Sequence, residues 1–363
     1  MKFLLDILKA VRPSFEAGGR LRAFKPVFDA MENFFFAPAA VTLAAPHVRD
    51  PLDIKRLMSM VIIAVLPSLF TAFYFFGWRL VPMIIVSYAA GGAVEVAFAV
   101  IRKDQINEGF LVTGMLFPLI LPPTLPLWMV GVGVVFGVFV GKELFGGTGR
   151  NIFNPAIVGR CFLALAYPAA MSGNWTSAGS SWPGRMLEYV TSSNVDAVST
   201  ATPLVLAKQG ELVSFWKMLL GNTSGSMGET SAIAVILGGV FLILTRVANW
   251  RTVVSILGSA AVLAGIFHYG QPDRFAPALW HLCAGSLLFG AFFMATDPVT
   301  SPVTNAGKWF YGIIIGVITV LIRNFTGYVE GVMFAILLGN IAAPIIDEVV
   351  TKVRLRRLRL EEG

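Results

Sequence analysis

Four places in the chain combine residue types that can do chemistry. Asp196-Ala-Val-Ser-Thr-Ala-Thr202 sets a carboxylate ahead of three hydroxyls, Ser199, Thr200 and Thr202. Such a hydroxyl can attack a phosphoryl group; on composition alone the segment reads as a Ser/Thr-rich polar loop. Lys142-Glu-Leu-Phe-Gly-Gly-Thr-Gly-Arg-Asn151, with Asn154-Pro155 behind it, is a glycine-rich polar turn between apolar runs. The Gly-x-x-x-x-Gly-Lys-Ser/Thr spacing of a phosphate-binding loop is absent from it. The Asn151 and Asn154 amides carry donors and acceptors that match the imide edge of a heteroaromatic ring, and asparagines also serve as turn and cap residues. Gly91-Gly92 lets a flat ring or another helix come close, and Glu95 follows them in an apolar run. An intramembrane carboxylate is functional by default, as a proton acceptor or facing a cation. Asp297 and Asp347 read as solvated helix ends. Cys161 and Cys283, both in apolar runs, are too few for a disulfide scaffold, a zinc ribbon or a four-cysteine cluster, so no metal site is expected. No Gly-x-Gly-x-x-Gly follows a strand, so the chain shows no dinucleotide-binding fingerprint of its own.

The elements that must position these residues are membrane helices. Of 363 residues, 56% are hydrophobic and only 13% charged, against about 25% charged in ordinary soluble domains. Mean hydropathy is +0.74. A soluble globule could not clothe such a surface, so the chain reads as an all-α polytopic membrane protein. The net charge of +7 then reflects cytoplasmic ends rather than nucleic-acid binding. Residues 1–56 read as a cytoplasmic N-terminal segment without a signal peptide, with Phe34, Phe35 and Phe36 at the interface; 57–169 as a first transmembrane repeat; 170–228 as a periplasmic loop; 229–350 as a second repeat; 351–363 as a basic cytoplasmic tail. About ten crossings with both termini cytoplasmic put Arg102, Lys103, Lys142, Arg150, Arg246, Arg251 and Lys308 inside; Arg79 and Arg323 are exceptions, in short outside turns.

Several apolar runs are too short to span. Phe110–Leu121 stops at Pro122-Pro123, and the run after Asn154-Pro155 is brief. Broken helices persist in a bilayer only where protein or a polar cavity covers the free backbone. Gly109, Gly114, Phe117, Pro122, Thr124 and Pro126 recur 176 residues later as Gly285, Gly290, Phe293, Pro298, Thr300 and Pro302, and Gly133-Val-Val-Phe-Gly137 matches Gly312-Ile-Ile-Ile-Gly316. The chain therefore reads as two five-helix repeats, inverted because five is odd, with sites expected at the repeat interface.

The Asp196–Thr202 string resembles the flavinylation signature Asp-x-x-Ser/Thr-Gly-Ala-Thr, with Thr200 where the glycine usually stands. Phe15-Glu-Ala-Gly-Gly-Arg-Leu, His47-Val-Arg-Asp50, Asp53-Ile-Lys-Arg56, Asn107-Glu-Gly-Phe110, Pro122-Pro-Thr-Leu-Pro-Leu-Trp128, Lys142–Asn151, Asn154-Pro155 and Phe293-Met-Ala-Thr-Asp-Pro298 resemble the B-type subunits of the sodium-translocating NADH:quinone oxidoreductases (Nqr), nearly end to end. The related D-type subunits of Rnf complexes, which serve ferredoxin rather than quinone, lack a segment like Phe15–Asp50. A long family insert between the first two crossings is replaced here by Gly77-Trp78-Arg79. The resemblance implies a bacterial inner-membrane, electron-carrying flavoprotein in a multi-subunit complex that oxidises NADH, reduces ubiquinone and exports sodium ions. It implies FMN on Thr202 as a phosphoester, set there by a flavin transferase that uses Asp196 and Ser199, and a non-covalent riboflavin, assigned to Asn151 and Asn154. Gly91, Gly92 and Glu95 are assigned to quinone. A small-solute channel or transporter is the non-redox alternative, since repeats and broken helices fit it equally.

Overall fold

The structure, a computed structural model, describes residues 11–16, 19, 21, 25, 28, 54–103, 109–172, 175–176, 178–179, 184–190 and 201–361. Asp196, Ser199, Thr200, Phe34–Phe36 and Asn107 lie outside the described residues. Among the described residues there is no strand, only a single bridge between Gly77 and Tyr189.

The first half runs α1 (Ile54–Phe76), α2 (Leu80–Arg102), α3 (Gly109–Leu119), α4 (Leu127–Gly141) and α5 (Pro155–Ala166). Three short helices follow, α6 (Pro168–Ser172), α7 (Pro203–Lys208) and α8 (Phe215–Leu220). The second half comprises α9 (Ala232–Leu244), α10 (Trp250–Gly270), α11 (Ala278–Cys283), α12 (Leu287–Phe289), α13 (Asn305–Phe325) and α14 (Val332–Glu361). Six of these helices are long and apolar enough to cross a membrane, and Gly109–Leu119, Pro155–Ala166 and Ala232–Leu244 are shorter apolar helices. The protein is thus a polytopic all-α membrane protein with broken helices. The last helix overruns its apolar stretch: Lys352, Arg354, Arg356 and Arg357 continue α14 rather than forming a separate tail.

The internal repeat is visible in the packing. With the broken pair α11–α12 counted as one segment, within each half the second helix packs on the fourth (α2 on α4, α10 on α13), and the fourth packs on the fifth (α4 on α5, α13 on α14). The first helices of the two halves, α1 and α9, pack on each other. The matched glycines explain how close the fourth helices come. A Cβ on Gly133 would meet the Leu163 side chain of α5, and one on Gly137 the Pro155 carbonyl. A Cβ on Gly312 would meet Ser255 of α10, and one on Gly316 the Ile256 carbonyl and Ser259. Bare backbone is what lets these helices touch. One core joins the halves, with Phe117, Leu121, Val134 and Leu163 from the first and Phe289, Phe293, Tyr311 and Ile315 from the second.

Both breaks have their backbone satisfied from elsewhere, as a bilayer demands. After α3, the Leu119 and Leu121 carbonyls receive Gly228 N at 2.7 Å and Met227 N at 3.2 Å. Arg79 Nη2 donates to the Leu125 carbonyl at 2.8 Å, and its Nη1 to Tyr189 Oη at 2.7 Å. At the second break Arg323 donates to the carbonyls of His281 and Ala284, at 2.7 and 2.9 Å. The two arginines that stood outside the charge pattern are therefore buried clamps on broken helix ends. Beyond α12 the chain makes a wide π turn over Gly290–Met294, a form that is frequent at functional sites.

Gly316→Leu should force α13 off α10 and destabilise the detergent-solubilised protein by about 1–3 kcal/mol. Gly258→Leu on the open face of α10, where a Cβ meets nothing within 4 Å, should leave the thermal midpoint unchanged.

Candidate functional site

Thr202 stands at the N-cap of α7, ahead of Pro203, with its carbonyl accepting from Val205 N and Leu206 N at 2.9 and 3.0 Å. An N-cap threonine ordinarily spends its hydroxyl on the helix's own free amides. Thr202 does not: its side chain makes no cap bond, its Oγ1 is buried, and that oxygen has no partner. Instead Thr202 lines a cavity of about 160 Å³. α7 is held there by its own apolar side, Leu204 packing with Met218, Ala276, Trp280 and Ala284. Lys208 Nζ adds bonds to the Thr326 and Tyr328 carbonyls at 2.8 and 2.9 Å.

Charge lines the cavity's other wall. Arg160, buried in the middle of apolar α5, reaches Glu330 Oε2 at 2.6 Å, Ser226 Oγ at 3.2 Å and Glu229 Oε2 at 3.6 Å. Glu330 also accepts from Ser286, from its N at 2.8 Å and its Oγ at 2.8 Å. Burial works to raise the Glu330 pKa, but Arg160 and Arg323 outweigh it and hold the carboxyl below its usual range. Glu229 goes the other way, pushed up by burial and then by the charge of Glu330 against the pull of Arg160. Gly285 sits against this group in the left-handed region, φ +62°, and a Cβ there would lie 2.5 Å from Glu330 Oε1. None of Arg160, Glu229 and Glu330 is marked by a motif. The signal that could have found them is charge inside or beside apolar runs.

Asn151 and Asn154 are buried and line a second cavity of about 80 Å³ with Lys142, Thr148, Thr296 and Asp297. Each amide has a local duty as well. Asn154 Oδ1 caps α5 by accepting from Ala156 N at 3.1 Å, while its Nδ2 faces Met294 Sδ at 3.7 Å. Asn151 Nδ2 donates to the Phe153 carbonyl at 3.0 Å. Asp297, expected as a solvated helix end, lines this cavity and accepts from Thr300 Oγ1 at 2.8 Å. Asp347, expected likewise, staples α14 to the start of α13 by accepting from Val303 N at 2.6 Å and Thr304 N at 3.1 Å.

On α2 the buried residues Met83, Ser87, Gly91, Glu95 and Ala99 recur every fourth position and form one inward face. Glu95 is paired there with buried Lys142, Nζ to Oε1 at 2.6 Å, and its Oε2 has no partner. Gly91 houses Phe110, whose ring would lie 2.7 Å from a Cβ, while Gly92 is half-buried. The structure thus joins two patches that looked separate in sequence, because Lys142 both lines the Asn151–Asn154 cavity and holds Glu95. Thr202 lies in a different cavity from both.

Glu330→Ala should destabilise the protein by about 3–5 kcal/mol, because Arg160 would be left buried and undercompensated. Removing the exposed Glu348–Lys352 pair should have no measurable effect on the same melting curve.

Residues 41–356 match the NQR2, RnfD, RnfE family. The B-type subunit of the Na(+)-translocating NADH-quinone reductase of Azotobacter vinelandii is 39% identical over 408 aligned positions, which cover 96% of this chain and 97% of that protein. The corresponding protein of Pseudomonas paraeruginosa is 37% identical, over 99% of this chain and 100% of that protein. That of Yersinia pestis is 37% identical, over 98% of each. The alignment with the Azotobacter protein exceeds the 363 residues of this chain, so that relative carries residues this one lacks. The chain belongs to the NQR2, RnfD, RnfE family.

Proposed function

We propose that this chain is the electron-carrying flavoprotein of a multi-subunit, sodium-translocating NADH:ubiquinone reductase in a bacterial inner membrane. In this reading FMN is held covalently by Thr202 and riboflavin non-covalently near Asn151 and Asn154. The observation that carries it is the Thr202 hydroxyl, which is buried, unpartnered and released from capping duty at the last position of the flavinylation-like string. Flavin supplies the redox chemistry when bound. The chain's residues supply place and environment. Thr202 Oγ forms the phosphoester, with Asp196 and Ser199 as the part of the string that a flavin transferase reads. Leu204 and Met218 keep water from the wall behind it, and Arg160, paired with Glu229 and Glu330, sets a guanidinium in the cavity's charged wall. At the second cavity Asn151 and Asn154 offer amide edges, and Lys142 offers a cation. The NADH site lies on another component of the complex.

The quinone reading of Gly91, Gly92 and Glu95 rests on Glu95, whose second oxygen is unpartnered, and on half-open Gly92; Phe110 already fills the notch at Gly91. The Nqr reading is favoured over the Rnf one because the similarity to the B-type Nqr proteins covers 96% or more of the chain. Both termini are placed in the cytoplasm and the Thr202 loop in the periplasm, on the charge pattern. A covalent flavin separates this reading from a plain solute transporter.

Thr202→Val keeps shape and apolar area but removes the nucleophile. The purified variant should insert and fold, and lose the FMN mass increment and the flavin fluorescence on a denaturing gel. Retention of the increment would place the attachment elsewhere. Asn154→Ser keeps a capping oxygen and removes the amide, so α5 should stay intact while riboflavin affinity falls by about 1–3 kcal/mol, roughly 5- to 150-fold. Unchanged riboflavin content in purified Asn154→Ser and Asn151→Ala proteins would reduce this region to a structural turn.

A further inference from the structure

The wall of the Thr202 cavity carries more polar oxygen than the arginine network uses. Besides Thr202 Oγ1, two buried oxygens there have no hydrogen-bond partner, Glu229 Oε2 and Thr230 Oγ1. Both residues are more than nine-tenths buried, at 6% and 5% exposure. They are consecutive and directly precede Ser231, which caps α9 by accepting from Ala234 N, so their backbone is fixed at a helix start. Glu229 Oε1 accepts from Ser226 N at 3.4 Å, which orients the carboxylate. Its Oε2 stays 3.6 Å from Arg160 Nη1, close enough for charge attraction and too far for a hydrogen bond.

A buried polar atom with no partner is costly, and native folds keep few of them. Two hydroxyls without a partner, Thr202 Oγ1 and Thr230 Oγ1, beside a carboxylate oxygen that only the Arg160 charge faces, point to something that fills the cavity. With the Arg160 guanidinium beside it holding the ionised form, the Glu229 carboxylate accepts, so an occupant that meets it brings a donor. A flavin mononucleotide brings two kinds, the hydroxyls of its ribityl chain and the imide N–H of its ring. We propose that Glu229 and Thr230 hold the flavin attached at Thr202 by accepting hydrogen bonds from its donors, and so set its orientation in the cavity. This rests on the attachment reading above and assigns two residues that the flavinylation string does not include.

The test is a cycle on the full-length purified chain. Thr230→Val is made in the parent chain and in the Thr202→Val chain, which has no attached flavin. In the parent it should leave the FMN mass increment intact, change the visible circular dichroism of the flavin, and lower the thermal midpoint by about 2–4 °C. In the Thr202→Val background the same change removes only an unpaired hydroxyl, and the midpoint should hold or rise. Glu229→Gln keeps an acceptor and should alter the dichroism less than Glu229→Ala. A shifted flavin potential in Thr230→Val, which removes no charge, would identify the ring imide as the donor, and altered dichroism at constant potential the ribityl hydroxyls. Equal midpoint changes in both backgrounds with unaltered dichroism, while Thr202 still carries FMN, would overturn this proposal alone. A parent chain with no increment at Thr202 would overturn the attachment reading and this proposal together.

Discussion

Arg160 is a charge in the middle of an apolar helix, and much of the molecule is arranged to compensate it. A buried arginine without partners costs several kcal/mol, so carboxylates must be delivered to it. Both come from beyond the first half: Glu229 from the segment leading into α9, and Glu330 from the turn leading into α14. Ser286, at the start of the second broken segment, is tied to the same Glu330. Satisfying one side chain thus fixes three distant stretches of chain against α5. The loop that carries Glu229 does a second job on the way, because Met227 and Gly228 cover the carbonyls left free at the first break. The Thr202 cavity is the space enclosed by these constraints, and its charged wall cannot open without separating ion pairs.

The internal repeat relates the two cavities that hold the candidate residues. Gly109 lines the asparagine cavity, and its repeat partner Gly285 lines the threonine cavity. Pro155 and Ala156 open the last helix of the first half and line one cavity; Glu330 and Met333, at the opening of the last helix of the second half, line the other. In each half a pocket therefore forms between the start of the broken segment and the start of the final helix. Under the proposed ten-crossing topology such equivalent positions fall on opposite membrane faces. Divergence has then given them different linings: two asparagine amides and a lysine in one, a threonine hydroxyl with an Arg–Glu network in the other.

What could be read beforehand was whatever depends on neighbours in sequence. Apolar runs marked the helices, Pro122-Pro123 marked a break, and the matched glycines of α4 and α13 marked where helices touch. The helix-cap role of Asn154 was legible as one of two readings, and the structure shows that role in place. What could not be read were pairings across long stretches of chain. Arg79 and Arg323 looked like misplaced surface charges, because nothing near them in sequence announces the carbonyls they serve. Asp347 looked solvated because its partners, Val303 and Thr304, lie more than forty residues earlier, in the turn that leads into α13. The motif pointed to Thr202, but the packing that seats its helix, Leu204 against α8 and α11, follows from no local pattern.

The Glu95–Lys142 pair carries the same lesson to the inner patches. Sequence offers a glycine pair with a carboxylate on one helix and a glycine-rich turn on another, and gives no reason to join them. The ion pair at 2.6 Å does so, with both side chains nearly buried. Such a pair is electrically neutral as a unit, and in a low-dielectric interior replacing either member by an uncharged residue would leave the other's charge without its partner. Neutralising Glu95 would leave the Lys142 ammonium uncompensated beside the cavity that Asn151 and Asn154 line. Charge placed in that cavity would in turn draw on Lys142 and loosen its hold on Glu95. The two patches are therefore one electrostatic unit, with Lys142 as the shared member.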